Sequence, residues 1–192
     1  MKKLCLHLGC GPDIIESTAH EQWINLDKYP RDNRVTQGDI GHLFDFADRT
    51  VDHIQSHYML EHVDYTTEKY AWHEMSRVLK TGGTLKLRLP DIEWVLKAWL
   101  AAKDDWKGFY KITGDTTDPE YGFCNGPALD NRWGVMLTWL YGSQSQPGLF
   151  HINAYTEGKL KAILNHFNFS ILKFDKIMDR DAQMLDVLAQ KK

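Results

Sequence analysis

Short apolar runs alternate with polar turns through the first half of the chain, and they predict strands. Five such runs each end near glycine, proline, serine or aspartate: residues 4–8, 23–26, 35–37, 51–56 and 84–89. Between the last two runs the apolar period changes to that of one helix face, at Ala71, Met75, Val78 and Leu79. This spacing predicts a helix over about 66–80, ended by Lys80 and the glycine pair Gly82-Gly83.

Further helices are predicted on both sides of this segment. We expect a short helix from Pro12 to about Ala19 and a longer one over 92–102. Near the end of the chain, 156–167 carries an apolar face and begins at Thr156, a residue typical of helix N-caps. The runs 169–174 and 184–188 then predict two closing strands, an antiparallel pair at one edge. The alternation of strands and helices predicts an α/β fold with a parallel sheet and right-handed crossovers.

One stretch interrupts this alternation. Residues 103–148 are rich in glycine, proline, aspartate and aromatic side chains, without repeats or low complexity. We interpret the chain as a single domain, 1–192, with an aromatic-rich insertion at about 103–148. Two interpretations of the insertion stay open: an irregular excursion with its own small core, or a cover over the ligand site that supplies aromatic walls.

The composition is that of an ordinary globular protein, and it favours neither nucleic acid nor an anionic membrane as a partner. The 192 residues are 43% hydrophobic and 26% charged, with a net charge of −3, which gives no electrostatic case for nucleic acid or an anionic membrane surface. Three scattered cysteines favour neither a disulfide framework nor a thiolate zinc site. Since we find no signal peptide and no membrane-spanning run, we expect a cytoplasmic protein.

The first strand leads into a glycine turn, and acidic or polar residues follow the next strands. Gly9 and Gly11 allow positive φ and close approach of a ligand to the backbone. Asp27 ends the second strand, where a carboxylate can accept both ribose hydroxyls, and Asp39 ends the third, where it can accept from an adenine amine. With 56–58 after the fourth strand, this order indicates an adenosine nucleoside as ligand.

Two kinds of adenosyl cofactor are compatible with this pattern. A dinucleotide needs a helix N-terminus for its pyrophosphate and usually a third glycine, but Ile15 or Glu16 stands at that position. This disfavours a dinucleotide relative to S-adenosylmethionine without excluding it.

Several ordered segments resemble the class I S-adenosylmethionine-dependent methyltransferases, and in particular the small type 11 group. They are LHLGCG (6–11), INLD (24–27), GDI (38–40), FADRTVDHIQSHYMLEHV (46–63) and EMSRVLKTGGTLKLRLPD (74–91), with a fainter match over 149–188. The resemblance implies a Rossmann-like three-layer sandwich whose seven-stranded, mostly parallel sheet has an antiparallel last strand.

The resemblance also implies roles for residues of this chain. By position, Gly9, Cys10 and Gly11 would contact the methionine part, Asp27 the ribose, Asp39 and Ile40 the adenine, and Ser56, His57 and Tyr58 the region of the transferred methyl group. Two positions depart from the family pattern. His7 stands where many members have an acid, and Pro12-Asp13 replaces the common Thr-Gly or Ala-Gly.

Methyl transfer from a sulfonium depends on positioning, and a hydroxyl or amine nucleophile also has to lose a proton. We predict His151 and His57 as catalytic candidates, and we interpret His62 as a packing residue. No metal site is predicted, because the nine histidines are dispersed.

The sequence therefore predicts a methyltransferase acting on a small molecule, with O-methylation of a sugar or another hydroxylated metabolite as the working hypothesis. Neither nucleic acid nor membrane is an expected partner. Two alternatives stay open: a non-catalytic adenosyl-binding module and an NAD-dependent oxidoreductase.

Overall fold

The computed structural model describes residues 2–40, 46–102, 138–144, 146–179 and 182–192. The strands are β1 Lys3–Leu8, β2 Glu21–Asp27, β3 Thr36–Gln37, β4 Val51–His57, β5 Leu79–Pro90, β6 Phe169–Asp179 and β7 Ala182–Lys191. The helices include α1 Tyr65–Val78, α2 Ile92–Ala102 and α3 Glu157–His166, and a 3₁₀ turn spans Leu60–His62. Most of the predicted insertion, 103–137, lies outside the described residues.

The seven strands form a single sheet in the order β3-β2-β1-β4-β5-β7-β6. Strands β1 to β5 run parallel, while β7 is antiparallel to both β5 and β6. The crossover from β3 to β4 takes the chain past β2 and β1, so the sheet reverses its winding direction between β1 and β4. The predicted seven-stranded, mostly parallel sheet with an antiparallel last strand is confirmed.

One face of the sheet carries the main core. Leucines and isoleucines at alternate positions, such as Leu6, Ile54 and Leu87, are fully buried there against α1 and α3. Trp72 of α1 and Leu160 of α3 belong to the same cluster. Burial of each such leucine contributes about 2 kcal/mol, so this face supplies most of the apolar stabilisation.

The opposite face is polar along much of its length. His7, His57, Arg88 and Asp186 share it by strand register. Helix α2 packs on this side at the β7 end, where Val95 joins a smaller cluster of buried residues. The helices therefore lie on both faces, as the predicted three-layer sandwich requires.

The predicted helix from Pro12 to Ala19 is wrong, because this segment forms no helix and begins in a turn. The side chain of Asn25 in β2 accepts from the Ile15 backbone N–H at 2.9 Å and donates to its carbonyl at 3.0 Å. These contacts occupy the two groups that Ile15 would use in a helix. A polar strand residue has therefore replaced the helical hydrogen bonds at this point.

The predicted glycine stop of the central helix is also wrong. Helix α1 ends at Val78, its C-cap Leu79 is extended, and β5 begins at once. Pairing moves from Val51–Leu79 to His53–Thr84, so 80–83 form a bulge in the strand. Gly82 supplies the positive φ of 81° that the bulge requires.

The end of the chain follows the prediction closely. Thr156 caps α3 by accepting from the Lys159 backbone N–H at 3.1 Å, and β6 and β7 are the expected antiparallel pair, each longer than predicted. Among the described helices, none is long and apolar enough to cross a membrane.

Candidate functional site

The turn after β1 has the backbone conformation that its two glycines predict. Gly9 and Gly11 have φ of 62° and 52°. A Cβ built on Gly9 would overlap the side chain of Met59, whereas one on Gly11 would meet nothing within 4 Å. Gly9 is therefore required for close packing, and Gly11 leaves open space above the turn.

Asp27 fixes this turn to the end of β2. Its Oδ2 accepts from the Gly11 backbone N–H and its Oδ1 from the Tyr29 N–H, each at 2.8 Å. The Cys10 N–H also donates to the Leu26 carbonyl at 3.1 Å. The structure therefore brings together Gly9, Cys10, Gly11 and Asp27, and holds the carboxylate at the carboxyl edge of the sheet.

Asp39 and Ile40 lie beside this edge after β3. The Gly38 N–H donates to the Asp27 carbonyl at 3.0 Å, which connects the two strand ends. Asp39 forms an ion pair of 2.8 Å with Lys28, and Ile40 packs half-buried against the main core. The ion pair holds the Asp39 carboxylate in place.

Three buried polar atoms close to the carboxyl ends of β1 and β4 have no hydrogen-bond partner among the described residues. They are His7 Nδ1, Ser56 Oγ and His57 Nε2. The rings of His7 and His57 lie 6.4 Å apart, edge to face. Such atoms are costly unless a bound group satisfies them. Together with the open space at Gly11, the two histidine atoms fit a polar ligand at these strand ends, whereas Ser56 lies by register on the opposite face, with Leu8 and Leu87.

Burial keeps both of these histidines neutral. It lowers the pKa of His7, and it lowers that of His57 to about 4 with help from the Arg88 charge. A neutral ring retains one nitrogen as donor and one as acceptor. The pair can therefore accept one hydrogen bond and donate another without adding charge.

Tyr58 follows β4, and its ring lies 6.5 Å from that of His57, edge to face. Its hydroxyl donates to Asp179 on β6, and Arg88 donates to Asp179 at 3.1 Å and to Asp186 at 3.0 Å. The residue has a φ of 52°, and its pKa is raised by burial and by the Asp179 carboxylate. Its hydroxyl contacts therefore belong to the polar face rather than to the glycine turn.

A second cluster of polar side chains lies where the 3₁₀ turn after β4 meets the segment that precedes α3. Glu61, His62 and His151 each present one potential ligand atom within 4.8 Å of the others. The rings of His62 and His151 are 4.8 Å apart. The Ile152 and Asn153 N–H groups both donate to the Glu61 carbonyl, at 2.9 and 3.1 Å, and so hold the two chain segments together.

The two histidines of this cluster are oriented by backbone carbonyls. His62 Nδ1 lies 3.0 Å from the Phe150 oxygen and His151 Nδ1 lies 3.0 Å from the Trp139 oxygen. Since a carbonyl can only accept, each Nδ1 carries the proton and each Nε2 the lone pair. Burial lowers the pKa of both, for His62 to about 4.

A cavity of about 90 Å³ adjoins this cluster. Its walls come from the chain after β4, the end of β5 and the segment after the insertion: Glu61, Pro90, Ile92, Trp139, Leu140, His151, Asn153, Ala154 and Tyr155. The indole Nε1 of Trp139 is buried and has no hydrogen-bond partner in the described part of the chain. The cavity therefore combines an aromatic wall, a carboxylate and a histidine.

Glu61 and the contact of His62 with His151 were not foreseen from the sequence. The segment Leu60–His62 carries an acid that is only 3% exposed, and a buried acid in a short apolar run is the signal that could have singled it out. His62 does pack, as predicted, but against His151, which is 89 positions away in sequence, and sequence spacing gives no indication of that pairing.

The sequence matches a family model described as a methyltransferase domain over residues 6–87. These residues include the glycine turn, Asp27, Asp39, the end of β4 and most of β5, the region where the predicted nucleoside site lies. The match covers a little under half of the chain, and together with the fold it indicates an S-adenosylmethionine-dependent methyltransferase. S-adenosylmethionine rather than a dinucleotide is its cofactor.

Solved structures agree with this fold. The methyltransferase is similar to 1,6-didemethyltoxoflavin-N1-methyltransferase of Burkholderia thailandensis, crystallised with S-adenosylhomocysteine, at 12% identity and a TM-score of 0.59 over 100% of this chain and 72% of that one. It is also similar to an S-adenosylmethionine-dependent methyltransferase of Methanosarcina mazei, at 19% identity and a TM-score of 0.60, covering 99% and 92%.

A third similar structure is magnesium protoporphyrin IX methyltransferase of Synechocystis with bound S-adenosylhomocysteine. The identity is 12% and the TM-score 0.57, over 100% of this chain and 75% of that one. At such identities the likeness shows the fold alone. No curated protein matches the chain.

Proposed function

We propose that this methyltransferase methylates a hydroxyl group of a small molecule and that this hydroxyl enters the cavity between Glu61 and His151. The observation that carries the proposal is the position of that cavity. Its walls include residues that follow β4 and β5, whose carboxyl ends lie at the same edge of the sheet as the glycine turn. Ligands of open α/β sheets bind along this edge, so cofactor and acceptor can meet there.

On the cofactor side, the glycine turn and the strand ends would hold S-adenosylmethionine. Gly9, Cys10 and Gly11 would contact the methionine part, Asp27 the ribose, and Asp39 with Ile40 the adenine. The buried, unsatisfied atoms of His7 and His57 support this assignment, because a polar ligand at these strand ends would satisfy them. We assign His57 to this pocket, since its ring lies edge to face with His7.

On the acceptor side, His151 is the candidate proton acceptor. The Trp139 carbonyl fixes its Nδ1 as the protonated nitrogen, so Nε2 is the basic atom. Burial lowers its pKa and keeps the ring neutral at physiological pH, as a general base requires. As the acceptor oxygen loses its proton to His151, it would attack the methyl carbon, and the sulfonium would leave as a neutral thioether.

The cavity of about 90 Å³ admits the reacting group of an acceptor rather than a whole sugar. Trp139 offers an apolar face together with an unsatisfied N–H donor, and Tyr155 is fully buried in a hydrogen bond to Glu68. Two of the similar structures are named for small acceptors, a toxoflavin precursor and a magnesium porphyrin. They act as precedents for the fold and do not identify this chain's acceptor.

The first test is calorimetric titration with S-adenosylhomocysteine, and with NAD in parallel. We expect micromolar binding of S-adenosylhomocysteine alone. A panel of sugars and other hydroxylated metabolites would then be screened for conversion of S-adenosylmethionine to S-adenosylhomocysteine. Binding of the product without transfer to any acceptor would favour the non-catalytic adenosyl-binding module, and binding of neither nucleotide would contradict the proposal.

A variant tests the role of His151. His151→Gln should slow transfer at least tenfold and leave affinity for S-adenosylhomocysteine within twofold. His20→Gln is a matched control, because His20 is exposed and precedes β2, at the opposite end of that strand from Asp27. A collapse of S-adenosylhomocysteine affinity in His151→Gln would place His151 in the cofactor pocket instead.

A further inference from the structure

We propose that Glu61, His62 and His151 bind one divalent transition-metal ion, of the class represented by Zn²⁺, beside the acceptor cavity. Two imidazoles and one carboxylate form a ligand set that is common to catalytic zinc sites and to other divalent transition-metal sites. The three residues present one donor atom each within 4.8 Å of one another. Binding of the ion does not depend on the proposed function, but its role in transfer, given below, does.

The orientation of the two histidines matches what metal ligation requires. A histidine that binds a metal through one nitrogen almost always donates from the other to a carbonyl or carboxylate. Here both Nδ1 atoms face backbone carbonyls at 3.0 Å, those of Phe150 and Trp139. Both Nε2 lone pairs are therefore available as ligands, and their tautomers are fixed in advance.

The backbone also places the carboxylate and the second histidine together. The Glu61 carbonyl accepts from the N–H groups of Ile152 and Asn153, which follow His151 directly. His62 follows Glu61, so all three ligands are on two segments joined by hydrogen bonds. Ligands about 2.1 Å from one ion are separated by roughly 3.4 Å in tetrahedral geometry. From separations of up to 4.8 Å, the three ligand atoms would thus approach one another by up to about 1.4 Å, through side-chain rotation.

The donor set favours one class of cation. Mg²⁺ and Ca²⁺ prefer all-oxygen ligand sets, whereas imidazole suits zinc, iron, copper, nickel and cobalt. Glu61 is only 3% exposed, and its negative charge would offset part of the charge of a divalent ion. Two neutral imidazoles and one carboxylate leave a site of net charge +1 that is partly withdrawn from water.

Three protein ligands leave a coordination position open, as in catalytic zinc sites. Since Glu61 and His151 also line the acceptor cavity, we place the open position there. If the proposed function holds, the acceptor hydroxyl would bind the ion, which lowers its pKa, and its proton would pass to solvent water. The O–CH₃ bond would form as the S–CH₃ bond breaks, with His151 as a ligand in place of a base.

The experiment starts with chelator-treated, full-length protein. Co²⁺ and Zn²⁺ would be titrated separately, with calorimetry for both and visible absorption for Co²⁺. We expect one ion per chain and d–d bands that report nitrogen and oxygen ligands in low coordination. Glu61→Gln, His62→Gln and His151→Gln should each weaken binding at least tenfold, while His20→Gln should not change it.

S-adenosylhomocysteine affinity and the far-ultraviolet circular dichroism of each variant serve as controls for folding. The metal site is overturned if wild-type protein binds no ion, or if the three variants bind as wild type does. If the ion binds but chelator leaves transfer unchanged, the role in transfer is overturned and His151 remains the base. Ion binding without S-adenosylhomocysteine binding would overturn the proposed function and leave the metal site standing.

Discussion

Asp27 shows how one side chain at a strand end can serve both the fold and the ligand. Its two oxygens each accept one backbone N–H, from Gly11 and from Tyr29. Each oxygen has a second lone pair, which is the one a ribose hydroxyl would use. The carboxylate is therefore held in place before any ligand arrives, and this lowers the entropy cost of binding.

Two substitutions of Asp27 should therefore weaken cofactor binding to different extents. Asp27→Asn keeps one carbonyl oxygen and the shape of the side chain, whereas Asp27→Ala removes both acceptors and releases the Gly11 N–H. We expect S-adenosylhomocysteine affinity to fall about tenfold in the first and about a hundredfold in the second, since a charged hydrogen bond contributes about 1.5–3 kcal/mol. Calorimetry measures both, and equal affinity in all three proteins would remove Asp27 from the site.

Gly9 and Gly11 allow the cost of backbone strain to be separated from the cost of steric overlap. Both have positive φ, but only Gly9 would place a Cβ into Met59. Gly11→Ala should lower the free energy of unfolding by about 1–2 kcal/mol through backbone strain alone. Gly9→Ala adds an overlap that costs about 1–3 kcal/mol more.

Urea denaturation measures this difference, and the double variant Gly9→Ala with Met59→Ala separates its causes. In the Met59→Ala background the overlap with the Met59 Cγ atom is absent. There, Gly9→Ala should lower the free energy of unfolding by the same amount as Gly11→Ala does in the wild-type protein. An equal loss in the two single variants would show that Met59 yields without cost.

At the scale of elements, the sequence predicts regular segments well and their ends less well. The apolar period of α1 and the cap at Thr156 are local signals, and both gave the right element. The glycines at 82–83 look like a helix stop, yet they form a bulge whose register depends on pairing with β4. Pairing between strands far apart in sequence is a tertiary effect, so no local pattern announces it.

In the candidate site, too, local features could be predicted from the sequence and tertiary contacts could not. The glycine turn and Asp27 could be predicted because they follow strands in chain order, and the structure places them in contact. The cluster of Glu61 with His151 could not, because the contact depends on where the chain returns after the insertion. The insertion itself, apart from its last residues, lies outside the described part of the structure.

The segment before β2 gives a test at the scale of elements. Asn25 replaces the helical hydrogen bonds of Ile15, and it is only 6% exposed. Asn25→Leu keeps the branching of the side chain and removes both hydrogen bonds to Ile15, so we expect a loss of about 1–3 kcal/mol in the free energy of unfolding. Gln22→Leu, at an exposed position of the same strand, is the control. An equal effect of both changes would mean that the Asn25 contacts contribute nothing specific.

At the scale of the whole molecule, the two sheet faces have different chemistry. The face against α1 and α3 is apolar, while the other holds His7, His57, Arg88 and Asp186 by register. Burial acts to raise the pKa of Asp186, but hydrogen bonds from Lys86 and Arg88 hold it below its usual value. This polar face makes the stability of the protein depend on pH, through histidines in one range and through paired carboxylates at lower pH.

Two buried histidines should make the protein less stable as the pH falls below 6.5. Burial lowers the pKa of His57 and His62 to about 4 in the folded protein, from 6.5 in the unfolded chain. Below pH 6.5 the unfolded chain therefore binds more protons, so stability present above pH 6.5 is lost as pH falls towards about 4. Allowing for partial exposure, each residue should lower the free energy of unfolding by on the order of 1–2 kcal/mol between pH 6.5 and pH 5.

Urea denaturation across this pH range should show the decline in stability. His57→Gln, which does not titrate, should make the decline less steep than in the exposed control His20→Gln. A pH profile of the same slope in both variants would show that His57 is already solvated in the folded state.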